Sequence, residues 1–303
     1  MSSPARGYAA IMTASIAWGL APVLIRYLSG AYDPYTQAFI RYFDAAVIMA
    51  IICLAGWRRP YLAILRNVRV SGGLALSNVT MQVLWTTCLY HTTATSAALI
   101  TKVQIVFVIL LSYLIFHEER AVIRSPRFLA GTLMGLLGVW GVLLDRPEQG
   151  LLPEINLAVL GLIGASIAWA AYAVHGKHVV GNIHPVPLFG AIAAWTAAGL
   201  LLVALVAGRP AGAFDVSPFV LLLTILSAAV PIVLAHVTFH YAQRELGAAI
   251  CGSMILTSPL FTHVISICIW PDEWMNGWQW TGAAVLLAGS YLVVRAKARP
   301  AGP

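Results

Sequence analysis

The sequence predicts an all-α membrane protein of ten transmembrane helices built as two inverted five-helix repeats. Three observations predict it. Sixty per cent of the residues are hydrophobic and only 10% are charged. Apolar runs long enough to cross a bilayer recur ten times, and the two halves of the chain share residues at one constant offset. A soluble domain of this length carries about a quarter charged residues, so most side chains here face lipid or other apolar helices. The net charge of +7 does not point to nucleic acid. Lysines and arginines sit in short clusters between the apolar runs, as membrane orientation requires. No Gly-rich phosphate loop, zinc-knuckle spacing or basic helix argues otherwise.

A hydrocarbon core of about 30 Å needs about 20 apolar residues in a helix. The first half supplies Gly7–Leu28, Thr36–Gly56, Ser71–Tyr90, Thr95–Phe116 and Pro126–Leu144. The second supplies Ile155–His175, Pro185–Ala207, Ser217–Tyr241, Gly247–Ile269 and Gly277–Val294. The first run lacks a small-residue cleavage site at its end and reads as a span, not a signal peptide. The third is interrupted by Asn78, Gln82, Thr86 and Thr87, and is kept because the flanking basic loops would otherwise fall on opposite faces. With the N-terminus inside, the cytoplasmic segments hold 13 of the 18 basic residues, at Arg6, Arg58, Arg59, Arg66, Arg69, Arg120, Arg124, Arg127, Lys177, Arg244, Arg295, Lys297 and Arg299. The outer loops hold Arg146 and Arg209 and collect Asp33, Asp145, Glu148, Glu154, Asp215, Asp272 and Glu273. This asymmetry places both termini in the cytoplasm of a bacterial-type inner membrane.

The repeat is read from the pentapeptide ASIAW, which occurs at Ala14–Trp18 and again 151 residues later at Ala165–Trp169. The same offset pairs Gly30 with Gly181, Pro34 with Pro185, Arg58 with Arg209, Tyr90 with Tyr241, Gly131 with Gly282 and Gly138 with Gly289. The halves divide as residues 1–147 and 148–303. Five spans per half is an odd number, so the second half enters the membrane inverted, the arrangement that makes two related openings around a midplane site. That favours a transporter over a membrane enzyme or a static scaffold.

The motifs SIAWG in the first span, FIRYF around Arg41 and the glycine-bearing fifth and tenth spans resemble the EamA-type ten-helix members of the drug/metabolite transporter superfamily. Ser258-Pro259, and Glu273 nine residues before Gly282, add to the likeness, which covers nearly the whole chain. The first half departs at Lys102 and Gln104, where apolar or small residues are usual in that family. The resemblance implies secondary transport of amino acids, nucleotide-related metabolites, drugs or similar solutes, often by export.

Intramembrane polar residues are costly and therefore candidate functional groups. Lys102 lies some six residues into the fourth span, about 9 Å below its boundary at 1.5 Å per residue. Its ammonium either receives a substrate carboxylate, snorkels to the headgroups or pairs with Asp44. Arg41 and Asp44, three apart on one helical face, form a natural ion pair, and the resemblance gives Arg41 a role in the fold. Asp44, the one carboxylate clearly inside a span, or a histidine carries the proton if transport is proton-coupled. Asn78, Gln82 and Trp85 share one face of the third span, with Tyr90 and His91 at its end, and suit either a wet cavity or interhelical hydrogen bonding. Trp18 and Trp169, related by the repeat, either sandwich an aromatic or cationic substrate or pack to lock each repeat. His236 and His240 have a metal-compatible spacing but lack a third ligand. Proton transfer or hydrogen bonding suits them better. A kink is expected at Thr257, Ser258 and Pro259, with His263 one turn later. Gly131, Gly135, Gly138 and Gly141 are spaced for close helix contact, within the chain or at a homodimer interface. Cys53, Cys88, Cys251 and Cys268 lack CxxC spacing and read as small buried thiols.

The expected substrate-binding set is therefore Trp18, Asn78, Gln82, Trp85, Tyr90, Lys102, Trp169 and His236, with Arg41, Asp44 and His263 as coupling or ion-pair residues. No metal or cofactor is expected. The expected partners are a small-molecule substrate, the lipid bilayer and a proton as candidate coupling ion, in a monomer or homodimer. A carboxylate-bearing metabolite, with amino acids favoured, leads over a multidrug or lipid exporter. An intramembrane enzyme is disfavoured because GxGD, HExxH and Ser/His arrangements are missing.

Overall fold

A computed structural model of the chain describes residues 4–143 and 157–296, apart from 93, 182, 272, 273 and 275. The expected repeat boundary at 147, and the charged residues Asp145, Arg146, Glu148, Glu154, Asp272, Glu273, Lys297 and Arg299, lie outside the described residues. All regular structure within them is helical. Six helices are long and apolar enough to cross a membrane: Pro4–Leu28, Pro34–Gly56, Leu157–Val180, Pro185–Ala207, Pro218–Leu246 and Ala248–Ile269.

The elements of the first half are α1 (Pro4–Leu28), α2 (Pro34–Gly56), α3 (Arg58–Arg66), α4 (Val68–Leu89), α5 (Ala94–Ile100), α6 (Gln104–Ile115), α7 (Arg120–Ile123) and α8 (Pro126–Leu143). Those of the second are α9 (Leu157–Val180), α10 (Pro185–Ala207), α11 (Pro218–Ala228), α12 (Ala235–Leu246), α13 (Ala248–Met254), α14 (Ser258–Ile269) and α15 (Gly277–Val294). The short α3 is amphipathic: Tyr61 and Ile64 are buried while Arg58, Arg59 and Arg66 are exposed.

Among the described residues, three helical segments are broken. A 3₁₀ turn at Thr101–Val103 separates α5 from α6, and another at Ile255–Thr257 separates α13 from α14. The sequence-expected kink at Thr257–Pro259 falls at this second break. Between α11 and α12, Ala229–Leu234 winds as a π-helix around Pro231, which has no N–H to give to the helical ladder. Such breaks release backbone carbonyls and are tolerated at membrane depth only where protein or a wet cavity receives them.

Apolar and polar side chains are distributed inside out relative to a soluble protein. Val206 is 89% exposed, Leu76 68% and Ile51 66%, whereas Arg41, Asn78, Gln82, Lys102, His236, His240 and Gln243 are buried. Each half packs on the other: α2 on α10, α4 on α9, α1 on α12 and α14, and α8 on α15. The last pair approaches backbone to backbone. A Cβ on Gly289 would lie 2.5 Å from the Gly131 carbonyl oxygen and 2.6 Å from the Gly135 nitrogen. The glycines of the fifth span therefore serve a contact inside the chain. Of the four cysteines, Cys53, Cys88 and Cys251 are buried, but Cys268 is exposed on the outer face of α14, correcting its reading as a buried thiol.

Helix starts are set by local chemistry repeated in both halves. Asp33 caps α2 just before Pro34, and His184 caps α10 just before Pro185. The Asp33 carboxylate accepts from the backbone N–H groups of Tyr35, Thr36 and Arg209, each at 3.0 Å. It thereby ties the start of α2 to the end of α10. Burial alone would raise its pKa, but these bonds together with the Thr36 hydroxyl outweigh burial and hold it below the ordinary value of 3.8.

Two outcomes follow from this packing. Gly289→Val should lower stability by about 2–3 kcal/mol, because its neighbours are backbone atoms that cannot yield. Gly30→Ala, with nothing within 4 Å of the new Cβ, should be silent, and thermal unfolding in detergent compares the two. For Asp33, a depressed folded pKa means a stabilisation that is complete above pH 3.8 and lost as pH falls through the lower folded value. Asp33→Asn should flatten this acid limb of the melting profile, and Asp33→Ala should cost about 1 kcal/mol as a lost cap. An acid limb unchanged in Asp33→Asn would remove the carboxylate from the account.

Candidate functional site

The breaks surround a cavity of about 90 Å³. It lies in the half of the bundle away from the chain's N-terminus, walled by the second half of α1, the first turns of α2, the latter part of α4, and the three interrupted segments. Seven of the sequence-expected residues line it: Trp18, Arg41, Gln82, Trp85, Lys102, Trp169 and His236.

Arg41 is 2% exposed. Its Nε donates to the Ser227 hydroxyl at 2.5 Å, and its Nη1 makes no hydrogen bond. The expected pair with Asp44 does not form. Asp44 is half-buried on a part of α2 whose neighbours Phe43 and Val47 are exposed, and it does not line the cavity. The guanidinium instead turns inward, to the hydroxyl that α11 presents just before the π-segment. Lys102 sits in the 3₁₀ turn, 7% exposed, and reaches neither Asp44 nor another carboxylate. Its side chain lines the cavity wall. Among the described residues, no Asp or Glu lines the cavity.

Gln82 is oriented by a hydrogen-bond network. Its Nε2 donates to the Tyr42 hydroxyl at 3.1 Å, so its Oε1 is left without a hydrogen bond. Tyr42 also bonds Asn78, whose Nδ2 reaches Thr196 of α10 at 3.3 Å. Asn78 thus joins helices and does not line the cavity, which corrects its expected place beside Gln82. Tyr90 is corrected likewise. Its hydroxyl donates to the Tyr32 carbonyl at 2.8 Å and closes the end of α4 onto the α1–α2 connection.

Trp18 and Trp169 meet edge to face with ring centroids 5.0 Å apart. Nothing fits between them, so the expected sandwich of a substrate ring is replaced by an aromatic floor. Trp18 also packs on His236 at 5.3 Å and Phe239 at 5.1 Å. His236 stacks on Phe189, and its Nδ1–H donates to the Ile232 carbonyl at 2.9 Å. That leaves Nε2 with no hydrogen bond. His240, one turn on, faces away from the cavity. Gln243 donates to the Ala173 carbonyl and turns its Oε1 to His240 Nδ1–H at 3.1 Å, so His240 Nε2 accepts from Tyr172 at 2.8 Å. The two histidines therefore do not converge, and no group of three His, Cys, Asp or Glu converges among the described residues. His263 is buried outside the cavity wall.

Sequence reasoning passed over Thr101, Gln104, Ser258 and Thr262 as binding candidates, although all four line the cavity. Their signal was the polar interruption of apolar runs at 101–104 and 257–262, the same interruption that breaks the helices.

Below the cavity, toward the α12–α13 junction, polar bonds join the helices, and a second pocket opens beside Glu119, Lys177 and Gly247. Beside the Tyr172–His240–Gln243 chain, the Glu119 carboxylate accepts from the Ala248 and Ala249 N–H groups at 2.6 and 3.0 Å. Gly247 precedes them at φ +87, a conformation other residues rarely adopt. Burial raises the Glu119 pKa, opposed by these two bonds.

The profile of the EamA-like transporter family matches residues 5–144 and matches again over residues 156–295. The chain belongs to the EamA-like transporter family. It is thus a membrane transporter of two repeats and not an enzyme. An uncharacterized transporter of Methanothermobacter thermautotrophicus is 26% identical over 304 residues, spanning 95% of this chain and 85% of its own length. A protein of known crystal structure superposes with a TM-score of 0.74 at 17% identity, covering 97% of this chain and 98% of the other, which shows a shared fold.

Tyr42→Phe tests the network that sets Gln82. Removing the hydroxyl leaves buried amide groups of Asn78 and Gln82 unpaired and should cost about 1–3 kcal/mol, read as a lower melting temperature. A variant as stable as wild type would mean that the amides re-pair elsewhere.

Proposed function

We propose that this EamA-family protein is a secondary transporter, working as an exporter, for a small carboxylate-bearing metabolite. The favoured solutes are amino acids and related organic acids. The observation that carries the reading is the placement of Arg41 and Lys102 on one cavity that, among the described residues, no carboxylate lines. Buried cations without acidic partners are costly, and an incoming carboxylate supplies what they lack, bidentately at the guanidinium.

Transport would run by alternating access between two inverted five-span repeats, residues 1–147 and 148–303, for ten spans in all. The pairwise packing supports this: α1 lies on α12 as α9 lies on α4, and the pairs α2–α10 and α8–α15 each join equivalent elements of the halves. With both termini cytoplasmic, as the basic clusters indicate, the α12–α13 junction faces the cytoplasm and the cavity the outside. A multidrug exporter for organic cations is less well supported, since its substrates would enter beside two like charges.

Reconstituted protein offered labelled amino acids, amines and organic acids, with and without a pH gradient, tests the reading. Carboxylate-bearing solutes should move in wild type and lose at least about tenfold in rate in Lys102→Ala, about 1.4 kcal/mol of lost binding or more. Movement of amines alone, or none of any solute, would overturn the reading.

A further inference from the structure

We infer that the cavity selects solutes of net negative charge, organic acids bearing a hydroxyl and no ammonium group, over the zwitterionic amino acids of the same skeleton. This rests on the carboxylate reading of the same site and narrows it. A carboxylate is common to both solute types, so discrimination depends on what meets the second substituent.

An α-ammonium would enter a wall that holds Arg41 and Lys102 and, among the described residues, no Asp or Glu. Away from bulk water, like charges a few ångströms apart repel strongly. Of the rings lining the cavity, Trp85 is the one not packed against another ring among the described contacts, and Trp18, Trp169 and His236 offer little compensation. Cation–π attraction needs a free ring face, but Trp18 and Trp169 turn toward each other, His236 and Phe239, at centroid distances of 5.0–5.8 Å. His236 is covered on one side by Phe189, 4.7 Å away with the rings 14° from parallel.

The unpaired acceptors fit a neutral donor. Gln82 Oε1 is bare because Nε2 is held by Tyr42, and His236 Nε2 is bare because Nδ1–H is held by the Ile232 carbonyl. Both residues line the cavity. One hydroxyl needs one acceptor and adds no charge, whereas an ammonium brings three donors and a charge the site already has in excess. Arg41 Nη1, also without a hydrogen bond, remains for the carboxylate.

Pairs of probes that differ only in this substituent test the inference: lactate against alanine, and phenyllactate against phenylalanine. Binding to the purified full-length protein is read by thermal stabilisation across a concentration series. The hydroxy acid of at least one pair should bind about 10- to 100-fold more tightly than its amino acid, and Lys102→Gln should narrow that ratio by weakening the hydroxy acid. Equal or tighter binding of the amino acid would overturn the inference and leave the carboxylate reading intact. Failure of both members of both pairs to stabilise folded protein at saturating concentration would overturn the two together. If Lys102→Gln does not fold, the wild-type ratio decides.

Discussion

A guanidinium that cannot lose its charge is held almost wholly out of solvent at Arg41, and much of the interior is arranged around it. Its fold-side partner is one hydroxyl, Ser227, presented immediately before the π-segment around Pro231. A single neutral hydrogen bond does not offset the burial of such a charge. The remaining requirement is for polar space, and the three broken segments at 101–103, 229–234 and 255–257 surround it with freed carbonyls and small hydroxyls. Cavity, helix breaks and buried cations are one arrangement, each tolerable in a lipid-facing bundle because the others are present.

Two different kinds of contact hold the bundle together. Glycine-to-backbone approach between α8 and α15 leaves no room for adjustment, and such packing moves as a unit. The α12–α13 junction depends instead on discrete polar bonds: Glu119 to the first N–H groups of α13, and the Tyr172–His240–Gln243–Ala173 chain. Hydrogen bonds of this sort have small net worth and can be exchanged for water. A junction held by them can open without unpacking a core, as alternating access needs.

The fold was legible in the sequence wherever it depends on composition and period. The apolar runs anticipated the helices, with α4 found despite Asn78 and Gln82, and the repeat offset anticipated the two family matches. The site was legible by residue type but not by direction. Spacing placed Arg41 and Asp44 on one face, yet three residues on a helix still differ by about 60° in azimuth at 3.6 residues per turn. That was enough to send one into the cavity and leave the other beside exposed Phe43. Trp18 and Trp169 were matched by the repeat, but whether two rings flank a ligand or touch each other depends on the crossing of α1 and α9, which no sequence offset encodes. Asn78 and Gln82, one turn apart, divide between helix joining and cavity lining because Tyr42 stands between them.

The repeat also separates what the frame shares from what the chemistry requires. At the offset of 151, Trp18 corresponds to Trp169 and Trp85 to His236, so the cavity's four rings come in two related pairs. The charges do not. Arg41 corresponds to Ile192 and Lys102 to buried Ser253, which bonds Thr132. Both cations therefore belong to the first repeat alone. A paired ring wall can be offered similarly by either arrangement of the halves, whereas an anion anchored to Arg41 and Lys102 stays with one half throughout. Under the proposed carboxylate reading, selectivity and movement would be carried by different residues: the one-sided cations would hold the solute, and the shared aromatic floor would be the surface across which the second half shifts.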